Sequence, residues 1–593
     1  MGAVENIITD NLPIWSSAVQ SKSSAGRGTR SKRNLYGVKK LRELILDLAV
    51  RGLLVPQDPN DEPASVLLGY ITAIKEGLVG EGTIKKQKPL LPLSLDELQF
   101  ELPRGWKWVR LQDVSTYIQR GKGPKYSEEG RVKVISQKCV QSAGFDLAPA
   151  RLIADDSLSA YQPERFLLEA DLIWNSTGTG TVGRIAVAPQ LPLNSVVGDS
   201  HVTIIRTIKT NPDFIKSYLS SSLIQERIDP EHENALVSGS TKQVELNTST
   251  VIAVPVPLPP LAEQHRIVVK VDELMALCDT LEQQQEDSIQ AHEILVEALL
   301  EALTSAADAD AFQAAWQRIS EHFDVLFTTQ HSIDKLKETI LQLAVMGKLV
   351  PQDPKDEPAS IFLEKIASER ELLINKGKVK NQAILPEIKN EPFSSPLGWR
   401  FCRLNNLVVR LGSGSTPRGG KSAYKQKGIP FLRSQNVWND GLHLDDIAFI
   451  SEETHESMSN THVYPDDILL NITGASLGRS TIFPKELKTA NVSQHVTIIR
   501  LINLKMGPFL HCLILSPYVQ KLVWARQVGM AIEGLSKKVL EQFEIPVPPL
   551  AEQYRIVARV DELMALCDQL KESLQQAQQT QIHLTDAVVE NAL

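Results

Sequence analysis

The side chains in this chain best placed for chemistry are basic and amide groups in two glycine-rich stretches. Nine basic residues and three acidic ones lie between Arg104 and Lys138, and eight basic residues with no acidic one lie between Arg400 and Arg433. The first stretch contains QRGKGPKY (119–126) and the second RLGSGSTPRGGKSAYKQK (410–427). Glycine-rich loops that carry Arg and Lys beside Ser, Thr, Asn, Gln and Tyr can supply phosphate contacts and base-edge donors together. Solvated lysines around ordinary turns would explain one such loop. Its recurrence at the same place in two halves of the chain favours binding.

Catalytic motifs fare worse. GTGTVG at 178–183 fits the dinucleotide fingerprint, but the matching segment of the second half reads GASLG and lacks the middle glycine that a pyrophosphate requires. A hairpin, or a turn that sets Arg184 and Arg479 near a phosphate, fits both copies. GSTPRGGKS at 414–422 has five residues instead of four between Gly414 and Gly420, which departs from a P-loop. NPDF at 211–214 has Asp213 where an adenine-methyltransferase motif has proline. No HExxH occurs among the twelve histidines, and His201 and His495, inside HVTIIR, read as core histidines of apolar strands. No catalytic residue and no metal site is expected.

With 593 residues, 42% hydrophobic and 23% charged, the chain has the composition of a multidomain globular protein. No apolar run reaches the roughly 18 residues of a membrane span. Glu5 and Asp10 lie where a signal peptide would be basic and then apolar, and five cysteines without a CxxC pair fit a reducing cytoplasm. The net charge of −8 argues against nucleic acid only as an average, because residues 261–335 alone hold fifteen acidic and four basic side chains.

The elements that position the basic loops are repeated. LRELILDLAVRGLLVPQDPNDEPAS (41–65) and LKETILQLAVMGKLVPQDPKDEPAS (336–360) agree at nineteen of 25 positions, and PLAEQHRIVVKVDELMALCDTL (260–281) returns as PLAEQYRIVARVDELMALCDQL (549–570). GWKWVRL and GWRFCRL, DLIWNSTGTGTVGR and DILLNITGASLGR, and two copies of HVTIIR follow in the same order between these anchors. A period near 290 residues is duplication of a whole unit. Near-identical helices thus flank two divergent α/β (α+β) domains at 101–258 and 393–548. A helical segment at 35–100 precedes the first domain, a central helical region at 259–392 separates the two, and a last helix at 549–593 follows the second. Residues 1–34 read as a disordered basic tail.

After each proline-rich exit a heptad places Ile267, Val271, Leu274, Cys278 and Leu281, then Ile556, Val560, Leu563, Cys567 and Leu570, along one seam. The seam continues through Ser288, Leu295 and Leu584. Equivalence of the units requires the C-terminal helix to lie beside the N-terminal one, which gives the chain a circular organisation and a pseudo-two-fold axis.

The repeated LVPQDPxDEPAS, the PLAEQxRIV helix and GSTPRGGK…GIPFLRSQNV together resemble the specificity subunit of type I restriction–modification enzymes, over about residues 35–593. The resemblance implies two target recognition domains, each reading half of a bipartite asymmetric site on double-stranded DNA. It implies that the helices pair as an antiparallel coiled coil that sets the spacer. Two modification subunits with S-adenosylmethionine would dock there, with restriction subunits that use ATP and Mg. This chain would recognise and scaffold without catalysing, in the cytoplasm and off the membrane. The candidate DNA contacts are Arg120, Lys122, Lys125 and Arg184 in the first domain, and Ser415, Thr416, Arg418, Lys421, Lys425 and Arg479 in the second. Gln137, Gln435 and Asn436 are the base-edge candidates, since amides suit adenine. The first domain has GKGP at 121–124 where the second has GSTP. An architectural or regulatory DNA-binding protein without methyltransferase partners is the alternative reading.

Overall fold

The computed structural model describes residues 2–21, 33–141, 144–178, 180–240, 243–379, 385–386, 388–527 and 534–593. The chain divides into one unit of Met1–Ser288 with Ala577–Leu593 and another of Ile289–Gln576. Among the described residues no helix is long and apolar enough to cross a membrane, and all five cysteines are free thiols in buried positions.

Each unit holds one sheet-rich domain pinched at a neck. Lys107–Arg110 pairs antiparallel with Pro255–Leu258, and Arg400–Arg403 pairs with Glu544–Val547, so entry and exit strands run side by side. Beyond the neck, the first domain has an antiparallel sheet ordered Ile185–Val187, Leu172–Asn175, Val202–Thr207, Ser115–Arg120. The second domain repeats it with Ser480–Ile482, Ile468–Asn471, Val496–Leu501 and Val408–Ser413. The two central strands of each are Ile- and Leu-rich and buried on both faces, as β-branched runs covered by other layers should be. A second sheet in each domain joins Lys133–Ile135 to Val196–Gly198, or Ile429–Leu432 to Ala490–Val492, in parallel.

The segment FLLEADLIWN (166–175) is strand only over Leu172–Asn175. Its first half turns at Ala170, with φ of 69°, and delivers Asp171, wholly buried, to a bidentate pair with Arg206 at 2.7 and 2.8 Å. Burial pushes the Asp171 carboxyl upward against the pull of that guanidinium. Asp467 and Arg500 repeat the pair at 2.7 Å.

The repeated motifs at the ends of each domain are tie points. Trp106 Nε1 donates to Glu263 at 3.0 Å, and Trp399 Nε1 to Glu552 at 3.1 Å. The next residue, Gln264 or Gln553, donates back to the carbonyl of Pro259 or Pro548 at 2.9 Å. Two residues further, Arg266 reaches Asp61 and Arg555 reaches Asp356, both at 2.6 Å, inside the PQDPxDEP turns. The amide of Ala64 or Ala359, at the end of that motif, donates to the neck carbonyl of Gly105 or Gly398 at 2.9 Å. Glu, Gln and Arg of PLAEQxR therefore bind neck, helix start and turn in sequence.

The two long helices are Leu261–Ser305 and Leu550–Ala592. The ten seam residues from Ile267 to Leu281 and from Ile556 to Leu570 are buried or half-buried, each group in its own unit's core. Further along, the heptad reading fails in both helices alike. Leu295 and Leu584 are 51% and 46% exposed, while their neighbours Val296 and Thr585 are buried at 1% and 0%. A helix of 3.6 residues per turn drifts about 20° per heptad against a 3.5 repeat. Four heptads after Ile267 or Ile556 that drift approaches one residue's 100° step, so the buried position moves to the next residue.

The expected disordered tail over 1–34 needs correcting. Helices Gly2–Asp10 and Leu12–Ser17 precede the first frame helix, and Ile8 and Trp15 are 1% and 0% exposed in the unit's core. Two large apolar side chains on short helices outweighed a Ser- and Lys-rich composition, which belongs mainly to residues 22–32, outside the described residues. Ser17 Oγ donates to Gln581 at 2.7 Å and Tyr36 Oη to Asp586 at 2.6 Å, so the C-terminal segment packs beside the N-terminal helices within one unit.

Candidate nucleic-acid interface

The strand registers bring separate sequence segments to one end of the four-stranded sheet. Asn175 pairs with Val202 and Thr203 with Arg120 in the first domain; Asn471 pairs with Val496 and Thr497 with Ser413 in the second. The basic loops leave from Arg120 and Ser413, the glycine turns leave from Asn175 and Asn471, and His201 and His495 arrive immediately before the central strand. Asn175 Nδ2 donates to Gln137 O at 3.3 Å, and Asn471 Nδ2 to Ser434 O at 2.8 Å, which fixes a further turn there. Bridges Thr177–Glu245 and Thr473–Gly534 bring in a fifth segment. Gly121 and Gly414 permit the close approach, because a Cβ on either would overlap the Asp199 or Val492 carbonyl oxygen.

The two loops differ in how much charge they leave available. In the first, Arg120 is ion-paired with Glu245 and donates to Ser200 O, and Lys125 is paired with Asp156 at 2.6 Å. Lys122 lies 5.9 Å from the Tyr161 ring and donates to Ala160 O at 3.3 Å. In the second, Arg418 and Lys427 are exposed and make no hydrogen bond or ion pair among the described residues. Lys425 Nζ donates to Ser422 O at 3.3 Å, Ser415 is exposed, and Thr416 Oγ1 donates to Gln494. Lys421 lies in the short turn Gly420–Ala423, and its side chain lies outside the described residues.

The amide candidates separate. Gln137 keeps Oε1 without a partner. Gln435 is exposed and donates to Asp446. Asn436 is 1% exposed; its Oδ1 accepts from Arg433 N at 3.0 Å and its Nδ2 donates to His443 O at 2.9 Å. The base-edge reading of Asn436 therefore fails, because its amide is consumed in holding its own turn. The arginines after the glycine turns sit on equivalent positions of the neighbouring hairpin. Arg184 donates to Gln141 Oε1 at 3.1 Å, whereas the Arg479 guanidinium lies 3.8 Å from the Trp438 ring centroid, and that ring stacks on His443 at 5.0 Å.

Sequence reasoning missed two features. Lys138, beside Gln137, is exposed and its side chain has no partner among the described residues; its alignment with Gln435 was the available signal. The histidines of HVTIIR are not in the core. The strands begin at Val202 and Val496, so His201 is an exposed turn residue and His495 a half-buried one. GTGTVG joins Leu172–Asn175 to Ile185–Val187 as a hairpin loop. Among the described residues no group of three or more His, Cys, Asp or Glu could hold a metal ion.

A family model described as the type I restriction modification DNA specificity domain matches residues 103–291 and 396–579. The type I restriction enzyme EcoEI specificity subunit of Escherichia coli is 38% identical over 627 aligned residues, covering 100% of both chains. The EcoAI specificity subunit of the same organism is 36% identical over 614, again with 100% of each covered. A chain solved in work on complex assembly and conformational transition of the type I R-M system is 19% identical, with a TM-score of 0.45, over 83% of this chain and 98% of that one.

Proposed function

From the premise that the chain belongs to the type I restriction–modification DNA specificity family, we propose how its two domains divide the work. The chain is a DNA-recognising specificity subunit of a multi-subunit restriction–modification complex. Each domain presents the loop-bearing end of its four-stranded sheet to one half of a bipartite, asymmetric site. The second domain binds with Arg418 and its flanking Ser415, Thr416, Lys421 and Lys425. The first binds with Lys122, Lys125 and Lys138, Arg120 serving mainly to hold the loop against Glu245. Arg184 and Arg479 border the same surface. The near-identical helices set the spacer and dock two modification subunits; S-adenosylmethionine, ATP and Mg chemistry belongs to partner subunits, and the complex acts in the cytoplasm. The chain itself binds and positions without catalysing.

The observation that carries this reading is the contrast between copies. The tie points Trp–Glu, Gln–Pro and Arg–Asp recur bond for bond, while the loops they hold differ in length, charge and side-chain type. A constant frame with unlike readers gives a non-palindromic site. Purification of the tagged chain from cells that express its neighbouring modification protein tests it. Two modification subunits per chain and retention on DNA are expected; a lone chain that binds DNA without them would favour an architectural role.

A further inference from the structure

One polar pair recurs at the binding end of both domains, within the repeated glycine turn and HVTIIR segments and beside basic loops that differ. Thr177 Oγ1 lies 2.6 Å from His201 Nδ1, and Thr473 Oγ1 lies 2.6 Å from His495 Nδ1. The flanking sequences are NSTGTGTVGR and DSH in one domain, NITGASLGR and SQH in the other. The backbone reinforces each pair: Ser176 N donates to His201 O at 2.8 Å and Ile472 N to His495 O at 3.0 Å.

The threonine contact occupies Nδ1 of each ring and leaves Nε2 open. Neither threonine hydroxyl has another hydrogen-bond partner among the described residues, and when it donates, Nδ1 accepts. The ring proton then resides on Nε2. Neither Nε2 has a partner among the described residues, and neither is among the buried polar atoms left unsatisfied. In that tautomer each domain holds an oriented N–H donor at the rim shared by the basic loop and the glycine turn.

We propose, on the reading that these sheet ends bind DNA, that His201 and His495 each donate from Nε2 to a phosphate oxygen of their half-site, with Thr177 and Thr473 as positioning residues. Two domains that read different bases have only the sugar–phosphate chain in common. A donor kept in both belongs to that common part, and phosphate contacts orient a reader without carrying sequence information. The base-discriminating positions are then those that differ, such as Gln141 against Trp438.

The test uses the assembled complex and a duplex carrying its site, with single neutral methylphosphonates placed through the second half-site. His495→Ala weakens binding about ten- to a hundredfold, the range of one hydrogen bond to a charged group. His495→Gln, which keeps a donor, recovers part of the loss, and Thr473→Val, which leaves the ring in place but unfixed, loses less than His495→Ala. At one phosphate the methylphosphonate weakens the wild type but not His495→Ala, and the bases selected stay the same. His201→Ala repeats the pattern in the first half-site. Equal sensitivity of wild type and variant at every phosphate, or a change in the bases selected by His495→Ala, would overturn the proposal. A wild-type complex with no affinity for its own site would instead contradict the DNA-binding reading beneath it.

Discussion

Asn436 carries the amide best suited to adenine and spends it inside the protein, while the Arg418 guanidinium, four residues after a glycine, is exposed and has no partner among the described residues. Residue type alone could nominate both, and only burial and bonding separate them. The same holds for His201, which alternation places in a strand and which the strand boundary leaves in a turn. The basic loop of the second domain leads to the first prediction. Arg418→Ala combined with Lys421→Ala weakens DNA binding and flattens the dependence of log K on log salt by about two, near 0.9 for each phosphate no longer neutralised; fluorescence anisotropy across a salt series reads it, and an unchanged slope removes both residues from the interface. The second concerns Asp467, buried beneath Arg500. Asp467→Ala leaves a mostly buried guanidinium unpaired and lowers domain stability by about 3 kcal/mol, measured by urea denaturation; a change within error would mean that Arg500 finds water instead.

Among the elements, the motifs most evident in the sequence are those with the most exacting geometry. In PLAEQxR the Glu, Gln and Arg make the same bonds in both copies, and the Glu and Gln are buried, so a substitution there would strand a buried group. Glu552 illustrates this at 1% exposure: burial raises its carboxyl above the usual carboxylate range, against the bonds from Gln352 and Trp399 and the nearby Arg555. A carboxyl raised in the folded state binds its proton more tightly there than in the unfolded chain, so stability falls as pH rises from the ordinary carboxylate range through the raised value. Glu552→Gln removes that slope, which denaturation at several pH values between about 4 and 6 would report; a steeper slope in the variant would reverse the assignment. The heptad was legible only for its first turns, because periodicity carries no account of cumulative drift. Ile556→Ala, at the fully buried start, should cost about 2–5 kcal/mol, whereas Leu584→Ala, on the drifted exposed side, should cost well under that in the same unfolding experiment. Equal losses would restore the uninterrupted seam.

For the whole molecule, duplication was the most readable feature and the terminal helices the least. Repeats announce themselves by identity, but the N-terminal helices are recognised only through Trp15 and Ile8 packing on residues far away in the chain, where Ser17 and Tyr36 also meet Gln581 and Asp586. The loops at the far end of each sheet lie away from the paired entry and exit and from the helix that packs on the frame, where Ser222 N donates to Asp47 at 3.0 Å, so a new loop set leaves the frame bonds intact. Exchange of residues between the necks for those of a related reader should therefore alter one half of the target and leave the other unchanged. Methylation mapping of a genome in cells expressing the chain with its modification partner measures this most directly. The expected pattern is a single two-part motif with unlike halves and a fixed unread gap, of which only one half changes in the exchange variant. A contiguous or palindromic motif, or both halves changing together, would contradict two independent readers on one frame.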